Sequence, residues 1–271
     1  MLIDYHIHTN TSLDAIPTVA ETCEKAASIG LKEICITNHH ELGSVWSGTY
    51  NYALSEYKMK KLILEIEECR NKFDLQIRLG AEIGYYEGYE KELISFISKY
   101  PFDYIIGGIH FVEGTLIVSE TPLLDADEDF AKTRYIKYFK LLKKAINSGF
   151  FDCVAHFDLP KKELPFLKFS EYKKEVSECI NAMKSKNIGF ELNTSGWRRY
   201  HKEQYPGNEV LRLLKKAGIK KITIGSDSHN IDELGNDIDR GISVLKENGF
   251  KQICTFNKRK PLFHNICGKQ Q

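Results

Sequence analysis

Short apolar segments and longer amphipathic segments alternate along the whole chain, and this alternation constrains the fold more than any other feature. Apolar runs that are each followed by a segment of helical periodicity predict parallel strands joined by crossover helices. At least seven such units occur, which suits a closed α/β barrel better than an open doubly wound sheet. The predicted strands are residues 2–8, 33–37, 75–83, 102–110, 151–157, 188–195 and 220–227, the predicted helices are 18–30, 54–72, 87–99, 128–148, 170–186, 207–217 and 238–248, and a short strand at 251–256 closes the series.

Composition limits the partners and the location that we expect. The 271 residues show no linker or change of composition, so we expect one domain spanning 1–271. The 38 basic and 37 acidic residues give a net charge of +1, and we expect no nucleic-acid partner. With no apolar run of membrane-spanning length and no signal peptide, we expect no membrane partner and a cytoplasmic location. The seven cysteines lack a C-x-x-C motif, which favours free thiols in a reducing compartment. The oligomeric state is left open.

Polar side chains stand at the carboxyl ends of the seven predicted strands. In an α/β barrel these ends converge on one face, where active sites are built. Seven of the nine histidines fall at such positions, and only His201 and His264 lie elsewhere. The strand-end residues are His6, His8, Asn38, His39, His40, Glu82, His110, His156, Asn193, Asp227 and His229.

Each of these residues alone has a structural explanation. A single histidine at a strand end is more often a hydrogen-bonded structural residue than a metal ligand. Glu82 also fits an ion pair at the barrel mouth, and Asp227 also fits a helix cap. Because chance would scatter the histidines through helices and loops, their joint placement favours a metal site.

The number of candidate ligands predicts more than one metal ion. A single zinc ion needs three or four protein ligands, so nine candidates are enough for two to three divalent ions, particularly if Glu82 bridges a pair. Imidazole and carboxylate ligands without thiolate suit Zn, Mn or Fe. Clustered divalent ions activate water and neutralise phosphate oxygens, which predicts a phosphoester hydrolase. The candidate ligands are His6, His8, Asp14, His39, Glu82, His110, His156, Asp227 and His229.

The order of the motifs resembles that of the PHP superfamily (polymerase and histidinol phosphatase). HIHT, TNHH, Glu82, GGIH, VAHFD, NTSG and GSDSH follow one another over nearly the whole chain. The resemblance implies a single distorted (β/α)7 TIM-like barrel with a trinuclear metal site at the carboxyl ends of its strands. It also implies three ligand groups: His6, His8, Glu82 and Asp227 in the first, Glu82, His110 and His156 in the second, and Asp14, His39 and His229 in the third.

Two positions depart from the family pattern. The second motif is usually T-D-H, whereas this chain has Asn38 before His39, so a neutral amide replaces a carboxylate that would orient the ligand. His40 competes with His39 as the ligand, and His39 is preferred. Asp14 stands where some relatives have histidine, which would weaken or alter the third ion without removing it.

The substrate expected from the resemblance is a small phosphomonoester, and the branch implied is that of the histidinol-phosphatases. Arg198 and Arg199 follow the sixth predicted strand, and a guanidinium suits a terminal phosphate, although both could also lie on a solvated loop. We expect a metal-activated hydroxide to attack phosphorus, with Arg198, Asp227 and His229 acting in catalysis. Two long loops are expected to enclose a small cationic substrate through the acidic and aromatic residues Trp46, Tyr50, Glu113 and Glu120.

Three alternatives remain open at this level. PHP domains also occur with DNA polymerases, so a phosphodiesterase or nuclease is possible, although charge and composition count against it. A phosphotyrosine-protein phosphatase would use the same metal chemistry. A metal-binding protein without activity is the third alternative, and the nearly complete set of candidate ligands argues against it.

Overall fold

The computed structural model describes residues 2–42, 52–117 and 121–267. Most of the predicted strands and all seven predicted helices are found, with ends that shift by a few residues. The strands are β1 (Ile3–Ile7), β2 (Glu33–Ile36), β3 (His39–His40), β4 (Gln76–Gly84), β5 (Tyr104–Gly108), β6 (Phe111–Val112), β7 (Thr115–Leu116), β8 (Cys153–Val154), β9 (Gly189–Asn193), β10 (Ile222–Gly225), β11 (Gln252–Asn257) and β12 (Lys260–Asn265). The helices are α1 (Val19–Ser28), α2 (Glu56–Lys72), α3 (Glu90–Lys99), α4 (Glu128–Ser148), α5 (Lys173–Lys186), α6 (Asn208–Ala217) and α7 (Ile238–Glu247).

Seven parallel strands form a nearly closed barrel in the order β1-β2-β4-β5-β8-β9-β10, and β3 pairs with β4 beside this path. The two outer strands meet through backbone hydrogen bonds: His8 N donates to Ser228 O at 2.9 Å, and Asp227 N donates to His6 O at 2.8 Å. Few hydrogen bonds join these two strands, so the barrel is distorted between β1 and β10. The predicted (β/α)7 TIM-like barrel is confirmed.

The core lies inside the barrel and between the sheet and its helices. All residues of β1, β5 and β9 are buried, as expected for parallel strands that are covered on both faces. Some helix starts follow capping rules. Thr18 and Glu21 form a capping box at α1, and the Asp127 side chain accepts two backbone N–H groups at α4. Within the described ranges, no helix combines the length and apolarity needed to cross a membrane.

Two sequence predictions differ from the structure. The strand predicted at 151–157 is reduced to β8, because the chain turns away at His156, whose φ is 25°. The strand predicted at 251–256 is half of a hairpin, β11–β12, which covers the amino-terminal end of the barrel. Phe256 N donates to the Tyr5 hydroxyl at 2.8 Å, and Arg259 pairs with Asp152.

Candidate metal centre

A cavity of about 390 Å³ opens at the carboxyl ends of the barrel strands. This volume falls in the roughly 300–1,000 Å³ range of small-molecule pockets. His6 and His8 lie beneath it and are almost completely buried. Seven of the nine predicted ligands line it directly: Asp14, His39, Glu82, His110, His156, Asp227 and His229.

Glu82 lies at the centre of the cluster. It extends from β4, and none of its surface is exposed. Its Oε2 lies 3.2 Å from His6 Nε2 and 2.9 Å from His39 Nδ1. Its Oε1 lies 2.8 Å from His156 Nε2 and 3.2 Å from His110 Nε2. With His8, whose Nε2 lies 3.5 Å from Oε2, one carboxylate therefore faces five imidazoles, which is the arrangement of a bridging ligand.

The first group surrounds the inner end of this carboxylate. His8 Nε2 lies 3.5 Å from both Glu82 Oε2 and Asp227 Oδ1, and His6 Nε2 lies 3.6 Å from the same Asp227 oxygen. Ligand atoms of His6, His8 and Asp227 lie close enough together to hold one ion. The structure therefore brings together the four residues that the family resemblance places in the first ligand group.

The second group lies on the other side of Glu82. His110 Nε2 and His156 Nε2 are 3.4 Å apart, and both face Glu82 Oε1. These three residues also have ligand atoms within reach of one ion. The backbone favours this approach, because a Cβ on Gly108 would come within 3.0 Å of His110 Nε2.

The third group is nearer to solvent. Asp14 Oδ2 lies 3.4 Å from His39 Nε2 and 3.5 Å from His229 Nε2. His8, His39 and His229 form a further set of ligand atoms within reach of one ion. His39 thus contributes to the cluster from β3.

His40 points away from the cluster. Its ring stacks on Phe96 with centroids 3.5 Å apart, and its Nδ1 accepts the Leu54 backbone N–H at 3.1 Å. Burial lowers the pKa of His40 to about 4, which keeps its imidazole neutral. Of the two adjacent histidines, only His39 is brought to the other candidate ligands.

Several buried ligand atoms have no hydrogen-bond partner among the described residues. They include His6 Nε2, His8 Nε2, His39 Nδ1 and Glu82 Oε2, all of which face the interior of the cluster. Buried polar atoms normally have partners, because an unsatisfied group costs about 1–3 kcal/mol. Nitrogen and carboxylate donors at one point, without thiolates, fit Zn, Mn or Fe.

Burial and neighbouring charges shift the pKa values of several histidines in the cluster. Burial opposes charge on His6, but Glu191, Asp227 and Glu82 raise the pKa of this imidazole well above its usual value. His110 follows the same pattern, because Glu82 and Glu41 outweigh burial and raise its pKa to about 9. Burial and the neighbouring His229 instead lower the pKa of His8 to about 3. Carboxylates that attract protons to imidazoles in this way also attract a divalent cation, which would displace those protons.

Two carboxylates that the sequence analysis did not predict contact the outer ring nitrogens of candidate ligands. Glu191 on β9 is fully buried, and its Oε1 lies 2.7 Å from His6 Nδ1. Glu41 lies 2.6 Å from His110 Nδ1 and accepts the Tyr86 hydroxyl at 2.6 Å. Carboxylates of this kind fix the tautomer and direction of a ligating imidazole. A charged residue on an otherwise apolar strand was the available signal for Glu191.

Two asparagines fix the surrounding backbone and side chains. Asn193 Nδ2 donates to Asp227 Oδ2 at 3.2 Å and to Glu191 Oε2 at 3.0 Å. Asn38 Oδ1 accepts Thr9 N at 2.8 Å and the Ser12 hydroxyl at 3.1 Å. The Ser12 hydroxyl oxygen in turn accepts the His39 backbone N–H. The amide at position 38 therefore positions His39 through Ser12.

The two arginines differ in position. Arg199 lines the cavity together with Lys162, whereas Arg198 is outside the lining and donates Nη2 to Ser226 O at 2.8 Å. Of the two arginines predicted to bind phosphate, only Arg199 therefore lines the cavity.

Of the four loop residues expected around the substrate, the described ranges include only Glu113. Glu113 is outside the cavity lining and pairs with Lys137 at 2.7 Å. Phe111 and Leu116, on the hairpin β6–β7, line the cavity instead. Trp46, Tyr50 and Glu120 lie outside the described residues.

A parallel barrel with histidines and carboxylates gathered at the carboxyl ends of its strands defines a class of α/β-barrel proteins with a metal-type ligand cluster. Within this class, a family model described as the PHP domain matches residues 4–195. The chain therefore belongs to the PHP domain family, as the order of its motifs predicted.

Similar proteins cover almost the whole chain. A probable histidinol-phosphatase of Deinococcus radiodurans is 27% identical over 261 residues, which are 96% of this chain and 98% of the relative. A histidinol-phosphatase of Lactococcus lactis is 27% identical over 266 residues, which are 95% of each. The crystal structure of histidinol phosphate phosphatase from Lactococcus lactis, complexed with zinc, L-histidinol and phosphate, matches with a TM-score of 0.84 and 25% identity over 96% of this chain and 98% of that one.

Proposed function

We propose that this chain is a metal-dependent histidinol-phosphatase, which hydrolyses L-histidinol phosphate to L-histidinol and phosphate in histidine biosynthesis. The observation that carries the proposal is Glu82, a buried carboxylate that faces histidines of all three ligand groups. The similar proteins named above support the substrate, since one of them was crystallised with zinc, L-histidinol and phosphate.

The cluster would hold two to three divalent ions. By ligand type these are Zn, Mn or Fe. When bound, such ions lower the pKa of a coordinated water and neutralise phosphate oxygens. We assign the ligands to three groups, namely His6, His8, Glu82 and Asp227, then Glu82, His110 and His156, and then Asp14, His39 and His229.

Side chains of the cavity have separate tasks in this proposal. Arg199 and Lys162 supply the cationic contacts for a terminal phosphate, because both line the same cavity as the ligands. The Asp227 carboxylate lies 3.7 Å from His229 Nδ1. Burial opposes ionisation of Asp227, but His6, His8 and His229 hold its pKa well below the usual value. An ionised Asp227 on the Nδ1 side of the His229 ring favours the orientation in which Nε2 faces Asp14 of the third group.

We also propose that the chain acts as one domain in the cytoplasm. Contacts such as that between Tyr5 and Phe256 join the first strand to the last hairpin. Six of the seven cysteines are buried and all seven are free thiols, which suits a reducing compartment.

A comparison of substrates tests the proposed function. The metal-loaded protein would be assayed with L-histidinol phosphate, a phosphotyrosine peptide and single-stranded DNA. We expect kcat/KM for L-histidinol phosphate to be at least about a hundredfold higher, which is roughly 2.7 kcal/mol in transition-state binding. Equal or faster turnover of the peptide or the DNA would overturn the assignment of substrate.

A further inference from the structure

Arg198 lies behind the loop that carries Asp227 and His229. Its Nη2 donates to two successive backbone carbonyls of this loop, Ser226 O at 2.8 Å and Asp227 O at 3.3 Å. The side chain is largely buried, with 18% of its surface exposed, and it is outside the lining of the cavity. These contacts direct its guanidinium to the backbone of the loop.

The loop needs such support because its backbone is strained. Asp227 has a φ of 54°, in the left-handed region that a residue with a Cβ rarely adopts. This conformation turns the Asp227 carboxylate toward His6 and His8, and two residues later His229 faces Asp14. A relaxed backbone at position 227 would move ligands of the first and third groups together.

Glu233 holds the other end of the same loop. Its Oε2 accepts the His229 backbone N–H at 2.9 Å, and its Oε1 lies 3.6 Å from Arg198 Nε. The ion pair therefore connects the carbonyls on one side of the loop to the N–H group on the other.

The turn that presents Arg198 is itself fixed. Arg198 ends the 3₁₀ turn Thr194–Arg198, and the Thr194 hydroxyl donates to Asn236 O at 2.7 Å. The Arg240 guanidinium packs over the Trp197 ring, with its carbon 4.1 Å from the centroid. Arg198 thus extends from a rigid support.

We propose that Arg198 is a positioning residue, which together with Glu233 clamps residues 226–229 so that Asp227 and His229 face their ion sites at the same time. The proposal deepens the proposed function and rests on its metal centre. It differs from the sequence-based expectation, in which Arg198 binds the phosphate of the substrate.

The test compares Arg198→Met with Arg199→Met, a matched change at the neighbouring arginine that lines the cavity. Two quantities are measured: the dissociation constant of Zn²⁺ in competition with a chelator, without substrate, and the inhibition constant of inorganic phosphate at saturating Zn²⁺ with a chromogenic phosphomonoester. We expect Arg198→Met to raise the metal dissociation constant by roughly 10–100-fold, the range found when groups that orient ligands are removed. The inhibition constant of phosphate should stay within about twofold in Arg198→Met. In Arg199→Met we expect the opposite: the inhibition constant of phosphate rises, and the dissociation constant of Zn²⁺ stays within about twofold.

Two results would overturn the proposed role of Arg198. One is an unchanged dissociation constant of Zn²⁺ in Arg198→Met, and the other is an inhibition constant of phosphate that rises about tenfold or more at saturating metal. If Arg198→Met fails to fold, Arg198→Lys and Glu233→Gln decide the question, because each weakens the clamp and should raise the same metal dissociation constant. The metal measurement needs no turnover. A protein that binds Zn²⁺ but does not hydrolyse L-histidinol phosphate would therefore contradict the proposed function and still test the clamp.

Discussion

His6 Nδ1 and Glu191 Oε1 are 2.7 Å apart, and both side chains are fully buried. The second oxygen of Glu191 accepts the His156 backbone N–H at 3.1 Å and the Asn193 amide at 3.0 Å. One carboxylate behind the cluster therefore fixes a ligand from β1 and the backbone of a ligand that follows β8. The open nitrogen of His6 is left to face Glu82 and Asp227.

Glu191→Gln should weaken metal binding while leaving the barrel folded. An amide keeps the size of the side chain but loses the charge that orients and strengthens His6 as a ligand, so we expect roughly tenfold lower affinity. Chelator competition with Zn²⁺ measures the change. The exposed Glu209 on α6 offers the matched control Glu209→Gln, which should bind Zn²⁺ as the unmodified protein does. Equal affinities in the two variants would show that Glu191 does not act on the centre.

Gly84→Ala should act on the metal centre through Glu41. A Cβ on Gly84 would overlap the Glu41 carboxylate, which orients His110 and accepts the Tyr86 hydroxyl. We expect Gly84→Ala and Glu41→Gln to lower Zn²⁺ affinity by similar factors, roughly tenfold or more, in the same chelator assay. Glu113→Gln, at an exposed carboxylate paired with Lys137, is the control. Normal affinity in Gly84→Ala together with lost affinity in Glu41→Gln would show that a Cβ at position 84 does not displace the Glu41 carboxylate.

The adjacent histidines should separate metal binding from stability. His39→Asn should remove a ligand and reduce the number of ions bound per chain, which elemental analysis measures. His40→Asn should leave that number unchanged and lower the free energy of unfolding by about 1 kcal/mol or more, because the contact with Phe96 and the hydrogen bond from Leu54 are weakened. A loss of ions only in His40→Asn would reverse the assignment.

The stability contributed by His40 should also depend on pH. Burial lowers its pKa from 6.5 to about 4, so the folded state favours the neutral imidazole. This contribution is complete above about pH 6.5 and is lost as the pH falls toward 4. Denaturant titrations of the unmodified protein and of His40→Asn should therefore give free energies that converge over this interval. A constant difference between pH 7 and 4 would contradict the shift.

The convergence of the strand-end histidines and carboxylates was predictable because the sheet is parallel. Once the strands alternate with helices, geometry sends residues such as Glu82 and His156 to one face, whatever the loops do. The choice between Arg198 and Arg199 was not predictable, because adjacent residues of a turn point in different directions. Glu41 was missed for a related reason: its role depends on His110, which is distant in the sequence.

The β11–β12 hairpin could not be predicted from local sequence patterns. Its second strand, β12, contains Pro261 and shows little alternation of apolar and polar residues, so its sequence does not predict a strand. The connecting turn places Lys258 and Arg259 at positive φ without a glycine. Tertiary contacts compensate, since Lys258 N donates to Asp103 Oδ1 at 3.0 Å and Arg259 N donates to Asp103 O at 2.9 Å. Only the assembled barrel supplies these acceptors.

The most direct test of metal-dependent hydrolysis is the rate at which chelator-stripped protein hydrolyses L-histidinol phosphate as it takes up Zn²⁺ or Mn²⁺. We predict negligible turnover without metal, recovery that is complete at two to three equivalents per chain, and little recovery in Glu82→Gln. This variant lacks the charged carboxylate that belongs to the first two groups and faces His39 of the third. A folded Glu82→Gln protein whose turnover recovers as fully as that of the unmodified one, or turnover that does not change when the metal is stripped, would contradict metal-dependent hydrolysis at this cluster.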